Sequence, residues 1–198
     1  MFTGIVEEIG QVVSIESQND SSKISIKTEK ILNSAKIGDS ISINGVCLTV
    51  TSIEGLVFTS DIVRETLDKT NLQYVKADDC INLERAMKAS SRFDGHIVQG
   101  HVEGIGKVKK IRKDNDSFII SIEISSSLSE YCIHKGSITV NGVSLTIASI
   151  EENLIDIWII PHTLSHTTFG SINKNDYVNI ETDIIAKYVK KFQGLKES

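Results

Sequence analysis

What this chain of 198 residues lacks already excludes several kinds of protein. No apolar run approaches the roughly 18 residues that span a bilayer, so no membrane segment is predicted. The opening "MFTGIVEEIG" has neither a basic n-region nor a long apolar h-region, which argues for a cytoplasmic protein without a secretory leader. Positive charge is in deficit, with 21 Lys and Arg against 26 Asp and Glu and a net charge of −5. Nucleic-acid binding wants clustered cations, so nucleic acid is not an expected partner. The one basic stretch, "KVKKIRK" at Lys107 to Lys113, sets Val108 and Ile111 among its charges and reads as a solvated strand edge. Cys47, Cys80 and Cys132 are far apart and odd in number, which fits neither a disulfide framework nor a CxxC site. His96, His101, His162 and His166 come without thiols or carboxylates at zinc-ligand spacing, so no metal site is expected. A hydrophobic fraction of 40% and a mean hydropathy of −0.03 leave a globular composition.

What is present is a duplication. "ISINGVCLTVTS" at Ile41 to Ser52 matches "ITVNGVSLTIAS" at Ile138 to Ser149 at seven of twelve positions. "ETLDKTNL" at Glu65 aligns with "HTLSHTTF" at His162 and "NLE" at Asn82 with "NIE" at Asn179, at the same offset of 97 residues. "GIVEEIG" at Gly4 aligns with "GHVEGIG" at Gly100 after a one-residue slip. Each copy of under 100 residues alternates β-branched and polar residues, as in "IGQVVSIE" and "KISIKTE", and predicts about six short strands closed into a small antiparallel barrel. Asn44-Gly45 and Asn141-Gly142 predict type I′ hairpin turns, which need positive φ at both central residues.

A two-residue hairpin pairs Ser42 with Cys47 and Ile41 with Leu48. The period of two then puts Ile41, Ile43, Val46, Leu48 and Val50 on the core face, and Ser42, Cys47, Thr49 and Thr51 on the other. Thr139, Ser144 and Thr146 repeat that second face, so a cleft lined by hydroxyls and a thiol competes with a plain solvated surface. "FDGHIVQGH" adds glycines, which permit close backbone approach, and histidines that titrate near neutrality. Ile5 stands in the first copy where His101 stands in the second, so the first copy carries the thiol and the second the imidazole. From Asp183 the period changes to that of a helix, with Ile184, Ile185, Tyr188, Val189 and Phe192 on one face. That stripe either packs within the chain or meets its equivalents in an oligomer.

Together these motifs resemble the riboflavin synthase family. "MFTGIV", "NGVCLTV", "RETL", "FDGHIVQGHVEG", "KGSITVNGVSLT", "IPHTL" and "VNIETDIIAKY" follow the family's order and spacing over nearly the whole chain. Asp94, where glycine is often found, is a small departure. The resemblance implies an all-β fold of two tandem six-stranded antiparallel Greek-key barrels plus a C-terminal α-helix, divided at 1–93, 94–184 and 185–198. It implies a dismutation of two 6,7-dimethyl-8-ribityllumazine molecules, without metal or redox cofactor, to riboflavin and 5-amino-6-(ribitylamino)uracil. It also implies a homotrimer in which the first barrel of one subunit faces the second barrel of its neighbour.

Carried over by position, the first-barrel ligand lining is Gly4, Ile5, Val6, Cys47, Leu48, Thr49, Asp61, Ile62, Val63, Arg64, Glu65 and Thr66. The second-barrel lining is Gly100, His101, Val102, Lys135, Ser144, Leu145, Thr146, Trp158, Ile159, Ile160, Pro161, His162 and Thr163. Phe2, Cys47, His96, His101, Ser144 and Asp183 stand where the family is sensitive in activity. On this carry-over His101 is the proton shuttle, and Ser144 or Cys47 adds or positions the nucleophile. Because an ordinary thiol is only slightly ionised near neutral pH, Cys47 ranks as a contributor to binding or activation above an obligatory nucleophile. Lumazine proteins, which share the double barrel and hold a chromophore without turning it over, are the alternative. The presence of both reactive phrases and both histidines of "DGHIVQGH" favours the enzyme.

Overall fold

Alternating burial makes the strands. In β2 (Ser21–Lys27) the side chains of Ser22, Ile24 and Ile26 are buried while their neighbours are less so, the one-face-inward pattern of an antiparallel strand packed on a core. A computed structural model describes residues 1–18 and 21–194. Its first half contains β1 (Glu8–Gln18), β2, β3 (Ser40–Ile43), β4 (Val46–Glu54), β5 (Val57–Val63), α1 (Arg64–Lys69) and β6 (Cys80–Arg85). These strands close into a barrel in the order β1-β2-β5-β4-β3-β6. The second half repeats it with β7 (Gly104–Asp114), β8 (Ser117–Glu123), α2 (Ser126–Ser129), β9 (Ser137–Val140), β10 (Val143–Glu151), β11 (Leu154–Ile159), α3 (Pro161–His166) and β12 (Tyr177–Thr182), closed as β7-β8-β11-β10-β9-β12. Both barrels are six-stranded and antiparallel, as the resemblance implies. The strand starts give an offset of 96 for β1 and β2 and 97 from β3 onward, so the one-residue slip falls in the β2 to β3 connection.

The hairpin register is the predicted one: Ile43 faces Val46, Ser42 faces Cys47 and Ile41 faces Leu48, and the second copy repeats it with Thr139 facing Ser144. Both turns have positive φ at each central residue, 47° and 85° at Asn44-Gly45 and 47° and 79° at Asn141-Gly142. Each barrel has its own core. Ile24, Ile26, Phe58 and Leu83 anchor the first, and Ile120, Ile122, Ile157 and Ile180 the second. The basic stretch 107–113 lies within β7. β12 pairs β7 only as far as Lys107, so from Lys109 onward the stretch is paired by β8 alone and is the expected solvated strand edge, with Val108 turned into the core.

The barrels meet about a local two-fold relation in which the turn contacts come in matched pairs. A side chain on Gly45 would sit 2.8 Å from the amide nitrogen of Gly142, and one on Gly142 equally close to that of Gly45. Asn82 Nδ2 donates to Asn141 O at 2.9 Å, and Asn179 Nδ2 donates to Asn44 O at 2.8 Å. The buried amides thus tie each turn to the opposite barrel, at about 1 kcal/mol per bond. Phe2 and Val98 bridge to one another, Phe2 N donating to Val98 O at 2.7 Å and Val98 N to Phe2 O at 3.2 Å.

The last described element is α4 (Ile184–Gly194), the expected helix, opened by Asp183 Oδ1 accepting from Ile185 N at 2.9 Å. Residues 195–198 of the expected tail lie outside the described residues. Lys187 bridges to Glu103 at 2.8 Å and Lys190 bridges to Glu130. Ile185, Tyr188, Val189 and Phe192 remain more than half exposed within the chain. Among the described residues no helix is long and apolar enough to cross a membrane.

Candidate functional site

Two short straps, residues 2–6 and 96–102, lie along the barrel interface and exchange places. Gly4 packs on the second barrel: Ser144 N donates to Gly4 O at 2.8 Å, and a Cβ on Gly4 would fall 2.6 Å from Ser144 Cβ. Val6 packs against the second core. Conversely, Cys47 N donates to Gly100 O at 2.9 Å, a Cβ on Gly100 would fall 2.5 Å from Cys47 Cβ, and Val102 packs against the first core. The positive φ of both glycines, 78° and 79°, and this lack of room explain why glycine occupies both places.

This corrects the grouping carried over by resemblance. Gly4, Ile5 and Val6 belong by contact with Ser144 on the second barrel, and Gly100, His101 and Val102 with Cys47 on the first. The strap that carries the imidazole of His101 is therefore the one seated on the thiol strand. The separation of thiol from imidazole does not hold. Sequence alignment matched each strap to its own copy because periodicity is local, whereas the crossing is a long-range contact.

Ser144 has a histidine of its own. His96, 8% exposed, lies with Nδ1 2.7 Å from Ser144 Oγ and Nε2 3.1 Å from Thr139 Oγ1. In the tautomer with its proton on Nε2, Ser144 donates to the ring and the ring donates to Thr139. Burial pushes the His96 pKa below the ordinary imidazole value, the charge of Asp183 opposing, so the ring is a neutral acceptor over a wider range of pH. No residue of the first copy aligns with His96, and Cys47 and Ser42 face one another there without such a ring.

Two buried glutamates that the sequence reading passed over hold the straps. Glu84 on β6, 5% exposed, accepts from Thr3 N at 2.7 Å, Thr3 Oγ1 at 3.0 Å and Gly4 N at 3.0 Å. Glu181 on β12, 2% exposed, accepts from Gln99 N at 2.7 Å, Gly100 N at 2.9 Å and His101 N at 3.1 Å. Burial raises both pKa values, and the strap hydrogen bonds oppose the rise. Their signal was present, since an acid recurs inside a buried strand at the same place in "NLE" and "NIE".

The remaining expected residues sort by strand face. Leu48, Ile62 and Ile159 are buried in the cores, so they can offer a ligand only backbone. Leu145 packs partly against the second core. Phe2 is fully buried, its Cε2 3.0 Å from where a Gly100 Cβ would stand, and so shapes the strap from beneath. Thr49, Asp61, Val63, Arg64, Glu65 and His101 are exposed around the first barrel's mouth, with Thr66 half-buried. Lys135, Thr146, Trp158, Ile160, Pro161 and His162 are exposed on the second, with Thr163 half-buried. Arg64 bonds Asp68 through Nε at 3.0 Å. The exposed members of each set mix apolar with polar side chains.

A family model described as the lumazine binding domain matches residues 3–86 and again 99–183. The riboflavin synthase of Actinobacillus pleuropneumoniae is 43% identical over 192 residues, covering 97% of this chain and 89% of that protein. That of Bacillus subtilis is 42% identical over the same coverage. Among solved structures, LumP complexed with 6,7-dimethyl-8-(1'-D-ribityl) lumazine superposes with a TM-score of 0.84 at 29% identity, covering 92% of this chain and 99% of that one.

Proposed function

Since the chain belongs to the riboflavin synthase family, an enzyme built of two lumazine-binding domains, we propose that it converts two molecules of 6,7-dimethyl-8-ribityllumazine into riboflavin and 5-amino-6-(ribitylamino)uracil. One molecule gives a four-carbon unit and the other receives it, so the exchange balances without an outside oxidant or reductant. The observation that carries this reading is the pairing of a reactive side chain with a crossing strap on each barrel: Ser144 with His96 beneath the Gly4 strap, and Cys47 beneath the strap that bears His101.

The chemistry needs a proton removed from the C7 methyl of one substrate and a nucleophile added at C7 of the other. His96 is placed to take the proton of Ser144 Oγ, or of a water bound in its place, as addition proceeds. His101, exposed on its strap, is free to move the methyl proton. Stacking two substrates in matched orientation supplies the larger share, since positioning is worth roughly 7–11 kcal/mol of barrier.

Both ligand faces are open in the single chain, and the apolar face of α4 is uncovered. We read the second as the seam of a homotrimer that brings a first barrel against a neighbour's second barrel. The likeness to LumP in complex with the lumazine favours the alternative of a chromophore carrier, whereas the intact Ser144–His96 contact favours turnover. Incubating the protein with 6,7-dimethyl-8-ribityllumazine alone separates them. One mole of riboflavin per two consumed is expected; tight binding with no product would overturn the reading.

A further inference from the structure

We propose that Glu84 and Glu181 are positioning residues that act across the two-fold relation, each fixing from one barrel the strap that completes the ligand site on the other. The inference rests on the reading of the two surfaces as lumazine sites.

Glu181 stands on β12 of the second barrel, yet the amides it gathers, Gln99, Gly100 and His101, belong to the strap whose Gly100 carbonyl accepts from Cys47 N on the first barrel. Glu84 stands on β6 of the first barrel and gathers Thr3 and Gly4, whose Gly4 carbonyl accepts from Ser144 N on the second. The geometry is the same on both sides. A carboxylate with two acceptor oxygens meets two or three N–H groups aligned along one strap, and its burial leaves it no competing water. The strap backbone lies so close to Cys47 or Ser144 that a Cβ added at Gly100 or Gly4 would fall 2.5 or 2.6 Å from theirs.

An amide in place of either carboxylate keeps the shape but replaces one acceptor oxygen by an NH₂ that faces a backbone N–H. One strap amide is then repelled, and the strap lifts from the altered residue it covers. The consequence falls on the far barrel. Glu181→Gln disturbs the Cys47 site and leaves the Ser144 site, and Glu84→Gln does the reverse. A glutamate that only held its own barrel together would produce no such crossed pattern.

The test uses the full-length protein with 6,7-dimethyl-8-ribityllumazine, binding being read by rapid mixing before turnover and Cys47 being alkylated by iodoacetamide while lumazine is still in large excess, followed by peptide mass analysis. Wild type is expected to bind two equivalents per chain and to protect Cys47 when saturated. Glu181→Gln is expected to lose at least 10-fold in affinity at one site and to leave Cys47 unprotected, with its thermal midpoint kept and the second site intact. Glu84→Gln is expected to lose the other site while Cys47 stays protected. Glu181→Asp and Glu84→Asp, which keep the charge and pull it back by one carbon, serve if either amide variant fails to fold and are expected to give the same crossed pattern. Loss of both sites together, loss on the same barrel as the glutamate, or no loss at all would overturn the inference. A wild type that binds no lumazine would instead overturn the functional reading beneath it.

Discussion

The two barrels share their strand order, their Asn-Gly hairpins, the bulge after Val12 and its match after Val108, and a buried glutamate on the last strand. They part company where a strap meets β4 or β10. On the second barrel Ser144 bonds a buried histidine that is itself held by Thr139. On the first, Cys47 and Ser42 occupy the same two places without a ring between them. What the copies share is what closing a barrel and joining it to its twin require. What they do not share is a buried proton acceptor: Ser144 has His96, whereas the strap seated on Cys47 brings the exposed imidazole of His101, a difference that suits unlike roles for two identical substrates in the proposed reaction.

The symmetric part breaks hardest. Gly45→Ala is expected to destabilise the chain by about 1–2 kcal/mol for its positive φ and by roughly 1–3 kcal/mol more for the methyl pressed against Gly142. With about 2–4 °C of thermal midpoint per kcal/mol at this size, calorimetry should show a fall of roughly 4–20 °C. Gly142→Ala should fall by the same amount within error, because the contact is reciprocal at 2.8 Å. Unequal falls would mean that the interface is not two-fold.

Much of that symmetric part is legible in sequence. Register at Ser42 and Cys47, the I′ turns and the α4 period follow from short-range rules that need only a few neighbours. The crossed straps do not, because nothing within a dozen residues of Gly4 says that its carbonyl will meet Ser144 N, which is 140 positions away. Ile62 and Ile159 stand in segments that the resemblance carries over whole, whereas the period of two on β5 and β11 turns their side chains into the cores. The resemblance marks His96 as activity-sensitive, but its partners Ser144 and Thr139 emerge only once the 94–98 segment is laid on β9 and β10.

The asymmetric part predicts a smaller loss in stability and a large one in rate. His96→Gln should lower kcat by about 100-fold, within the range usual for a general base, with KM little changed. The sign of the pH effect follows from burial. A depressed pKa keeps the folded ring neutral below the ordinary imidazole range, so the acid limb of kcat should lie below that range and vanish in the variant. Stability should fall as pH drops through the unfolded-state imidazole value, because the unfolded chain then binds a proton that the folded one refuses. An acid limb unchanged in His96→Gln would remove this histidine from the chemistry.

The smallest expected effect comes from making the two phrases alike. Cys47→Ser turns "NGVCLTV" into "NGVSLTV", next to identical with the second copy, and touches none of the bonds that seat the strap, since Cys47 holds Gly100 through its backbone amide. A serine hydroxyl there has no buried ring to take its proton, so it gains no nucleophilicity to replace a thiol's. If the thiol only lines the pocket, turnover should persist within about 10-fold of wild type, the cost of exchanging one small polar side chain for another at a half-buried position. If it is the atom that adds to the substrate, kcat should fall below detection while lumazine still binds at two equivalents. Steady-state kinetics read beside binding decide between these, and the first outcome moves the difference between the barrels from the thiol to the histidines, buried His96 at Ser144 and exposed His101 on the strap at Cys47.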